Sequence, residues 1–527
     1  MACRALVVRI AFRCAGALFT GAVLLTYCGA AAAAGGRAAL TPRQQALHVL
    51  DRLAFGPRPG DVDRVVAMGV DRYIDQQLHP ESIPESPAVA KQLAAMPTLQ
   101  LGPETILARD VWPGRGADVA ALIARKRQID HDVNAQRYLR AVESPRQLQE
   151  VMVDFWFNHF NVFCCDKGVI VRPLLGSYEL QAIRPHVLGR FRNLLGATAH
   201  HPAMLTYLDN SFNIVHRNEG GDARPRGLNE NYARELMELH TLGADGGYAQ
   251  ADVMALARIL SGWRLPPPND IGRGTHGFYF DAAAHAPGDK RFLGRVIAAG
   301  GEREGEQALD MLAASPATAR HIAFQLAQYF VADDPDPRLV DLLARRFAET
   351  GGDIRAVLTT LFHSAAFWQP ANVGNKFKTP YQYVISAIRA TGQPIADGAF
   401  VGEQVAAMGE PLYGNATPDG YKNTAAAWLS PDALIQRIVF ADRLAAGQLP
   451  LQRPFAGVMP AKPTGGAPAL AAMPVSAKGP PGEPVDEAAL RATLDGLFSA
   501  HTLGTVAREQ GALRSAMLLA SPEFMMR

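Results

Sequence analysis

The run Asn229-Glu230-Asn231-Tyr232-Ala233-Arg234-Glu235-Leu236-Met237-Glu238-Leu239-His240-Thr241-Leu242-Gly243 holds the densest set of reactive side chains in the sequence. At helical spacing Asn231, Arg234, Glu235 and Glu238 share one face, and Tyr232, Leu236, Leu239 and His240 fall on the other. Two carboxylates one turn apart can hold a divalent cation, or divide acid and base duties if their surroundings differ. The same pattern also fits an amphipathic helix whose Arg234 and Glu238 pair on a solvated face. A second set is Trp156-Phe157-Asn158-His159-Phe160. Bulky neighbours bury its polar pair, which must then find partners. His159 reads as a metal ligand or general base, or as a core histidine bonded to a backbone carbonyl. Asp209 follows the short apolar segment Pro202 to Leu208, where a carboxylate serves as a ligand or a cap. His285 and Lys290 sit on a glycine-containing loop, placed to meet an anionic ligand or merely solvated. Lys376, before Thr379-Pro380, is expected as an ion-pair partner inside the fold.

These readings define an expected site. Glu235, Glu238, His159 and Arg234 carry catalysis. Glu235, Glu238, His159 and Asp209 form the metal set for a divalent ion. Asn231, Asn158, His285 and Lys290 contact substrate. The sequence has no Gly-x-Ser-x-Gly, His-Glu-x-x-His or P-loop. Gly272-Arg273-Gly274-Thr275-His276-Gly277 matches a dinucleotide fingerprint by spacing, but a proline-rich loop precedes it and no helix pattern follows.

The elements that must position these residues are mainly helical. Apolar residues recur near a 3.6 period after Thr41-Pro42, with Ala46, Leu47, Leu50 and Leu53 on one face. The spacing predicts a second short helix capped by Asp61, a buried helix over 148–160, and further helices from Ser315-Pro316 to Phe330, over 339–347 and over 354–367 behind Asp353. Two more are expected, over 487–498 and 505–519. Strand signals are few: Phe278-Tyr279-Phe280 and Phe292 to Ile297 are expected to pair as a minor β-hairpin on a long loop. Ser211 to Gly227 and Leu265 to Lys290 read as irregular. Pro454 to Pro484 carries eight prolines in 31 residues with no period. The expected organisation is a signal peptide over 1–34, one large multi-helical domain over 38–452, a linker or insertion over 453–486, and C-terminal helices over 487–527 completing the domain.

Composition agrees with a large buried core: 527 residues, 48% hydrophobic and 19% charged. Lys and Arg number 52 against 50 Asp and Glu, and Arg4, Arg9 and Arg13 lie in the first 34 residues. Without a basic excess there is little to neutralise phosphates, which argues against nucleic acid as a partner. The basic start, the apolar run Ala15 to Tyr27 and the small residues Gly29 to Gly36 follow the order of a secretory signal, with cleavage expected near Ala34. The alternatives are retention as an uncleaved anchor, which would be the chain's one membrane contact, and a lipoprotein-type site at Leu25-Thr26-Tyr27-Cys28-Gly29, which the bulky Tyr27 does not suit. Of five cysteines, only Cys164 and Cys165 lie beyond that segment. They read as two small buried hydrophobes, or else as a redox or thiol-binding pair.

Several segments in order resemble a bacterial family known as domain of unknown function 1800. They are Leu53 to Gly60, Phe155 to Phe160, Asn229 to Gly243, Asp419-Gly420-Tyr421, Trp428-Leu429-Ser430-Pro431 and Ala520 to Phe524. The resemblance implies an exported, largely helical protein, often encoded beside a sulfatase-like protein, with no established reaction. His285-Ala286-Pro287-Gly288 departs from it where an acid is expected after the histidine. The favoured expectation is a periplasmic or extracellular enzyme with a carboxylate–histidine pocket, hydrolytic or oxidative. The alternative is a non-enzymatic envelope protein that binds or assembles with a sulfatase-like partner.

Overall fold

The Gln147–His159 helix shows how the fold is built, since it is apolar on nearly every side. Leu148, Val151, Met152, Val153, Phe155, Trp156 and Phe157 are all buried, as expected of a helix with neighbours all round. Its polar residues Glu150, Asp154 and Asn158 recur every fourth position. They form one polar stripe along the helix, beside Gln147, Gln149 and His159 near its ends. The computed structural model describes residues 40–215, 227–452 and 482–527. The expected signal segment, residues 216–226 of the Ser211–Gly227 stretch and all but the last three residues of Pro454–Pro484 lie outside the described residues.

Pro42–Arg527 forms one mainly α-helical unit. The 25-residue Val119–Glu143 helix, capped by Asp118 accepting from the Ala120 and Ala121 amides, packs beside Gly398–Ala407 and Pro380–Thr391. Pro316–Phe330, Pro337–Glu349 and Ile354–Phe362 stack in succession. Ser315, Asp336 and Asp353 cap them by accepting from the Ala317, Arg338 and Ala356 amides. Thr379 and Gln382 close a capping box at the start of Pro380–Thr391. Among the described residues no helix is long and apolar enough to cross a membrane.

Four boundaries differ from the sequence expectation. Asp61 lies inside the Asp61–Met68 helix, and left-handed Gly60 precedes it. The helix expected over 354–367 ends at Phe362. The one expected over 487–498 stops at Thr493. The last expected helix is two, Ala500–Val506 and Ala512–Leu519, broken before Gly511 at φ 59°.

The strands pair differently too. Tyr279–Phe280 pairs with Trp263–Arg264, while Lys290–Phe292 pairs with Arg295–Ile297. The second ribbon turns through Leu293 and Gly294, both at positive φ. Such a two-residue turn closes a hairpin locally, so Phe292 to Ile297 is a complete hairpin rather than one arm of a longer one. The first ribbon is anchored by the fully buried Trp263.

Candidate functional site

Asp154 and Glu410 meet at a cavity of about 290 Å³ beside the Gln147–His159 helix. Asp154 comes from the polar stripe of that helix, and Glu410 from the loop after Gly398–Ala407. Arg137 Nη2 donates to Asp154 Oδ1 at 2.8 Å, and Arg137 Nε donates to the Tyr381 hydroxyl at 3.0 Å. Behind it, Arg137 Nη1 donates to buried Glu179 at 3.0 Å, and the Tyr413 hydroxyl donates to the same carboxylate at 2.6 Å. Burial works against ionised Glu179, but Arg137 and Arg184 hold it below the usual carboxylate range. The guanidinium is thus fixed from two sides.

The two cavity carboxyls lie in unlike surroundings. Burial raises Asp154, and the Arg137 charge and hydrogen bond oppose that rise. Burial and the neighbouring Asp154 charge push Glu410 up to about 8, only partly offset by the Tyr381 amide, which donates to Glu410 Oε2 at 2.7 Å. Near neutral pH Glu410 is therefore a proton donor, beside an Asp154 carboxyl that accepts from the Arg137 guanidinium.

At another part of the wall stand His159, His321 and Gln325. His159 Nε2 donates to the His240 carbonyl at 3.1 Å, and a carbonyl can only accept, so its Nδ1 is the bare nitrogen. That Nδ1 is buried with no hydrogen-bond partner. Burial, then the nearby His240 and His321, hold His159 well below the normal histidine range. Its ring is neutral, a hydrogen-bonding group rather than a proton reservoir. Phe155, Phe157, Tyr329, Tyr381, Tyr413 and Tyr421 supply flat apolar wall. Asn158, Asn161, Gln325, Gln328 and Gln382 supply carboxamides.

One side of the mouth is clamped by Asn158. Its Nδ2 donates to the Tyr421 carbonyl at 2.9 Å and its Oδ1 accepts from the Tyr421 amide at 2.7 Å. Gly420 packs so closely there that a Cβ would stand 2.2 Å from the Asn158 carbonyl oxygen, and its φ is +69°. The Asp419-Gly420-Tyr421 segment is thus held by the Trp156–Phe160 segment.

The sequence-predicted residues divide among four places. His159 and Asn158 line the cavity. Glu235 and Glu238 lie on the partly exposed face of Asn231–Glu238. Burial, Glu238 and the cavity-lining Asp419 raise Glu235, with Arg234 opposing. Leu239, just beyond that helix, reaches the cavity wall. Arg234 instead donates to Glu230 at 3.4 Å and Gln250 at 3.1 Å, and Asn231 is exposed. His240 is buried, as its face implies.

The expected metal quartet is not assembled. Asp209 accepts from Lys167 Nζ at 2.5 Å, and Glu235 and Glu238 do not line the cavity that holds His159. Among the described residues no group of three or more His, Cys, Asp or Glu is placed to hold a metal ion.

His285 and Lys290 are not solvated loop charges but members of a buried cluster. Lys290 Nζ lies 2.5 Å from Glu304 Oε2, and His285 Nε2 lies 3.1 Å from Glu304 Oε1. His285 Nδ1 donates to the Ser261 carbonyl at 2.8 Å. The acid facing His285 comes from the Glu302–Ala313 helix. Lys376 is an internal ion-pair partner as expected, bound to Asp333. Cys165 is exposed and Cys164 half-buried, contrary to two buried hydrophobes.

Asp154, Glu410, Arg137 and His321 were missed. Asp154 had a signal, a lone acid within Val151-Met152-Val153-Asp154-Phe155-Trp156-Phe157. Glu410 had none, because its partners arrive from distant segments. A second, more open groove of about 990 Å³ runs past Pro266–Pro268. Its Arg264 is paired with Asp281 at 2.8 Å, and its Arg273 lies 3.5 Å from Asp270. The carboxyl pair therefore marks the first cavity as the candidate site. In comparisons with known proteins, residues 48–526 match the family model described as "Protein of unknown function (DUF1800)". No curated protein and no solved structure matches the chain.

Proposed function

The chain belongs to the DUF1800 family, and we propose that it is an exported acid–base hydrolase acting on an uncharged, polyhydroxylated substrate about the size of a sugar. The carrying observation is the carboxyl pair. Glu410, protonated to about 8, faces the same cavity as Asp154, which Arg137 grips. In such a pair the protonated member gives its proton to a leaving oxygen. Its partner, when ionised, stabilises developing positive charge or draws a proton from water. The wall suits that substrate: aromatic faces stack on ring C–H groups, and the Gln325 carboxamide oxygen, buried without a hydrogen-bond partner, can accept from a hydroxyl. His159 and His321 would orient hydroxyls through neutral rings. The arginine-bearing start and apolar run of the N-terminal segment support export to the periplasm or beyond.

The test is hydrolysis of a panel of chromogenic aryl glycosides by the wild type, Glu410→Gln and Asp154→Asn. Each variant is expected to keep the wild-type circular dichroism and lose about 10²–10⁴-fold in kcat. No turnover of any panel member by the wild type would overturn the reading.

A second reading has its own support. Leu429, Ile435, Ile438 and Val439 are exposed together on and before the Pro431–Ala445 helix. An apolar stripe of this kind suits a docking face, for which a sulfatase-like exported partner is the candidate. Stoichiometric co-purification that is lost in Ile435→Asp/Ile438→Asp would favour that reading.

A further inference from the structure

Adjacent residues in extended backbone point their side chains to opposite sides. Cys164 and Cys165 do not: their Sγ atoms lie 3.0 Å apart, and both thiols are free. The cause is the tight turn they open. Lys167 takes a left-handed φ of 48°, and its carbonyl accepts from the Ile170 and Val171 amides at 2.9 and 3.2 Å. Gly168 folds back until a Cβ would stand 3.3 Å from the Cys164 carbonyl oxygen. The turn is pinned from outside as well. The Cys164 amide donates to the Tyr413 carbonyl at 2.9 Å, and Asn161 Nδ2 donates to the Asn415 and Thr417 carbonyls at 3.0 and 2.8 Å.

We propose that Cys164 and Cys165 form a redox-modification site that closes to a vicinal disulfide by exchange with a low-molecular-weight disulfide. The exposed Cys165 reacts first. As thiolate it attacks one sulfur of the small disulfide, forming a mixed disulfide and releasing one small thiol, which takes up the Cys165 proton. Cys164 sulfur then attacks the Cys165 sulfur of that mixed disulfide. The second small thiol leaves with the Cys164 proton, and the ring is closed. Two protein thiols are oxidised and one disulfide is reduced to two thiols. The order follows exposure, and burial and the contact with Cys165 push the Cys164 thiol up to about 12, which leaves it the slower nucleophile. Adjacent Cα atoms stand closer than disulfide geometry prefers, so the ring should open readily to a reductant.

The experiment incubates the full chain with glutathione disulfide, alkylates remaining thiols with iodoacetamide and maps the peptide holding residues 164 and 165. The wild-type peptide is expected to lose the mass of two hydrogens, to resist alkylation and to recover both thiols in dithiothreitol. Cys164→Ser is expected to trap one glutathione on Cys165, since the resolving sulfur is gone. Two glutathiones on the wild-type pair, a Cys165 link between two chains, or full alkylation of both thiols after oxidation would each overturn the proposal.

Discussion

At the scale of single residues, the protonation of Glu410 sets two expectations of opposite origin. Catalysis by its proton should fail as pH rises through about 8, where Glu410 ionises. The alkaline limb of kcat against pH should therefore fall near that value. Stability responds separately. Glu410 holds its proton in the folded chain to about 8, against 4.5 for an ordinary glutamate. Between those values the folded state binds more protons than the unfolded one, so this group's contribution to stability falls as pH rises across that window and stays low above it. Glu410→Gln removes the titrating group. The difference in unfolding free energy, variant minus wild type, should grow from pH 5 to pH 8, as read by urea titration at fixed pH values. A constant difference would mean that Glu410 ionises normally. His159 is the contrasting case. Its type and aromatic setting were legible in the sequence, but its role was not. The carbonyl of His240 that fixes its tautomer belongs to a segment 81 residues away.

At the scale of elements, the legible features were those encoded locally. Ser315-Pro316 starts the Pro316–Phe330 helix, and Thr379-Pro380 the next capping box, because a hydroxyl cap and a fixed proline φ act within one turn. The hairpin partner was misread because strand pairing depends on which neighbour buries Trp263, and single-chain patterning does not carry that. The site was half legible for the same reason. The stripe Glu150, Asp154 and Asn158 is visible as three polar residues four apart on an apolar helix, whereas Glu410 sits in a loop with no period. Two substitutions test how elements hold the site. Gly420→Ala should push the Asp419–Tyr421 segment off Asn158, through both a left-handed φ and a Cβ in contact with backbone. It should destabilise by about 1–3 kcal/mol, and hydrogen exchange at residues 417–423 should speed up. Glu304→Gln leaves Lys290 without its counter-ion where both side chains are almost wholly buried. It should cost about 3–5 kcal/mol in chemical unfolding, and Lys290→Met in the same chain should restore part of that.

At the scale of the whole molecule, the domain closes by joining segments far apart in the chain. The Lys376 amide donates to the Arg527 carbonyl and the Arg527 amide to the Lys376 carbonyl, at 3.2 and 2.7 Å. The Pro431–Ala445 helix is likewise joined to the C-terminal helices across the proline-rich stretch. The Gly482 amide donates to the Gly447 carbonyl at 2.7 Å and the Val485 amide to the Ala445 carbonyl at 2.9 Å. The chain therefore leaves this point after Leu451 and is back beside it by Gly482. Closing a loop costs free energy only as the logarithm of its length, about 0.6 kcal/mol for each doubling. Replacing residues 453–481 by a short Gly-Ser segment should thus leave the unfolding free energy within about 1 kcal/mol of the wild type, and glycoside turnover unchanged. The carboxyl pair is built from residues 137, 154, 381 and 410, all before the replaced stretch. A large fall in stability would show that the stretch packs on the domain, and a loss of turnover at unchanged stability would place it at the cavity.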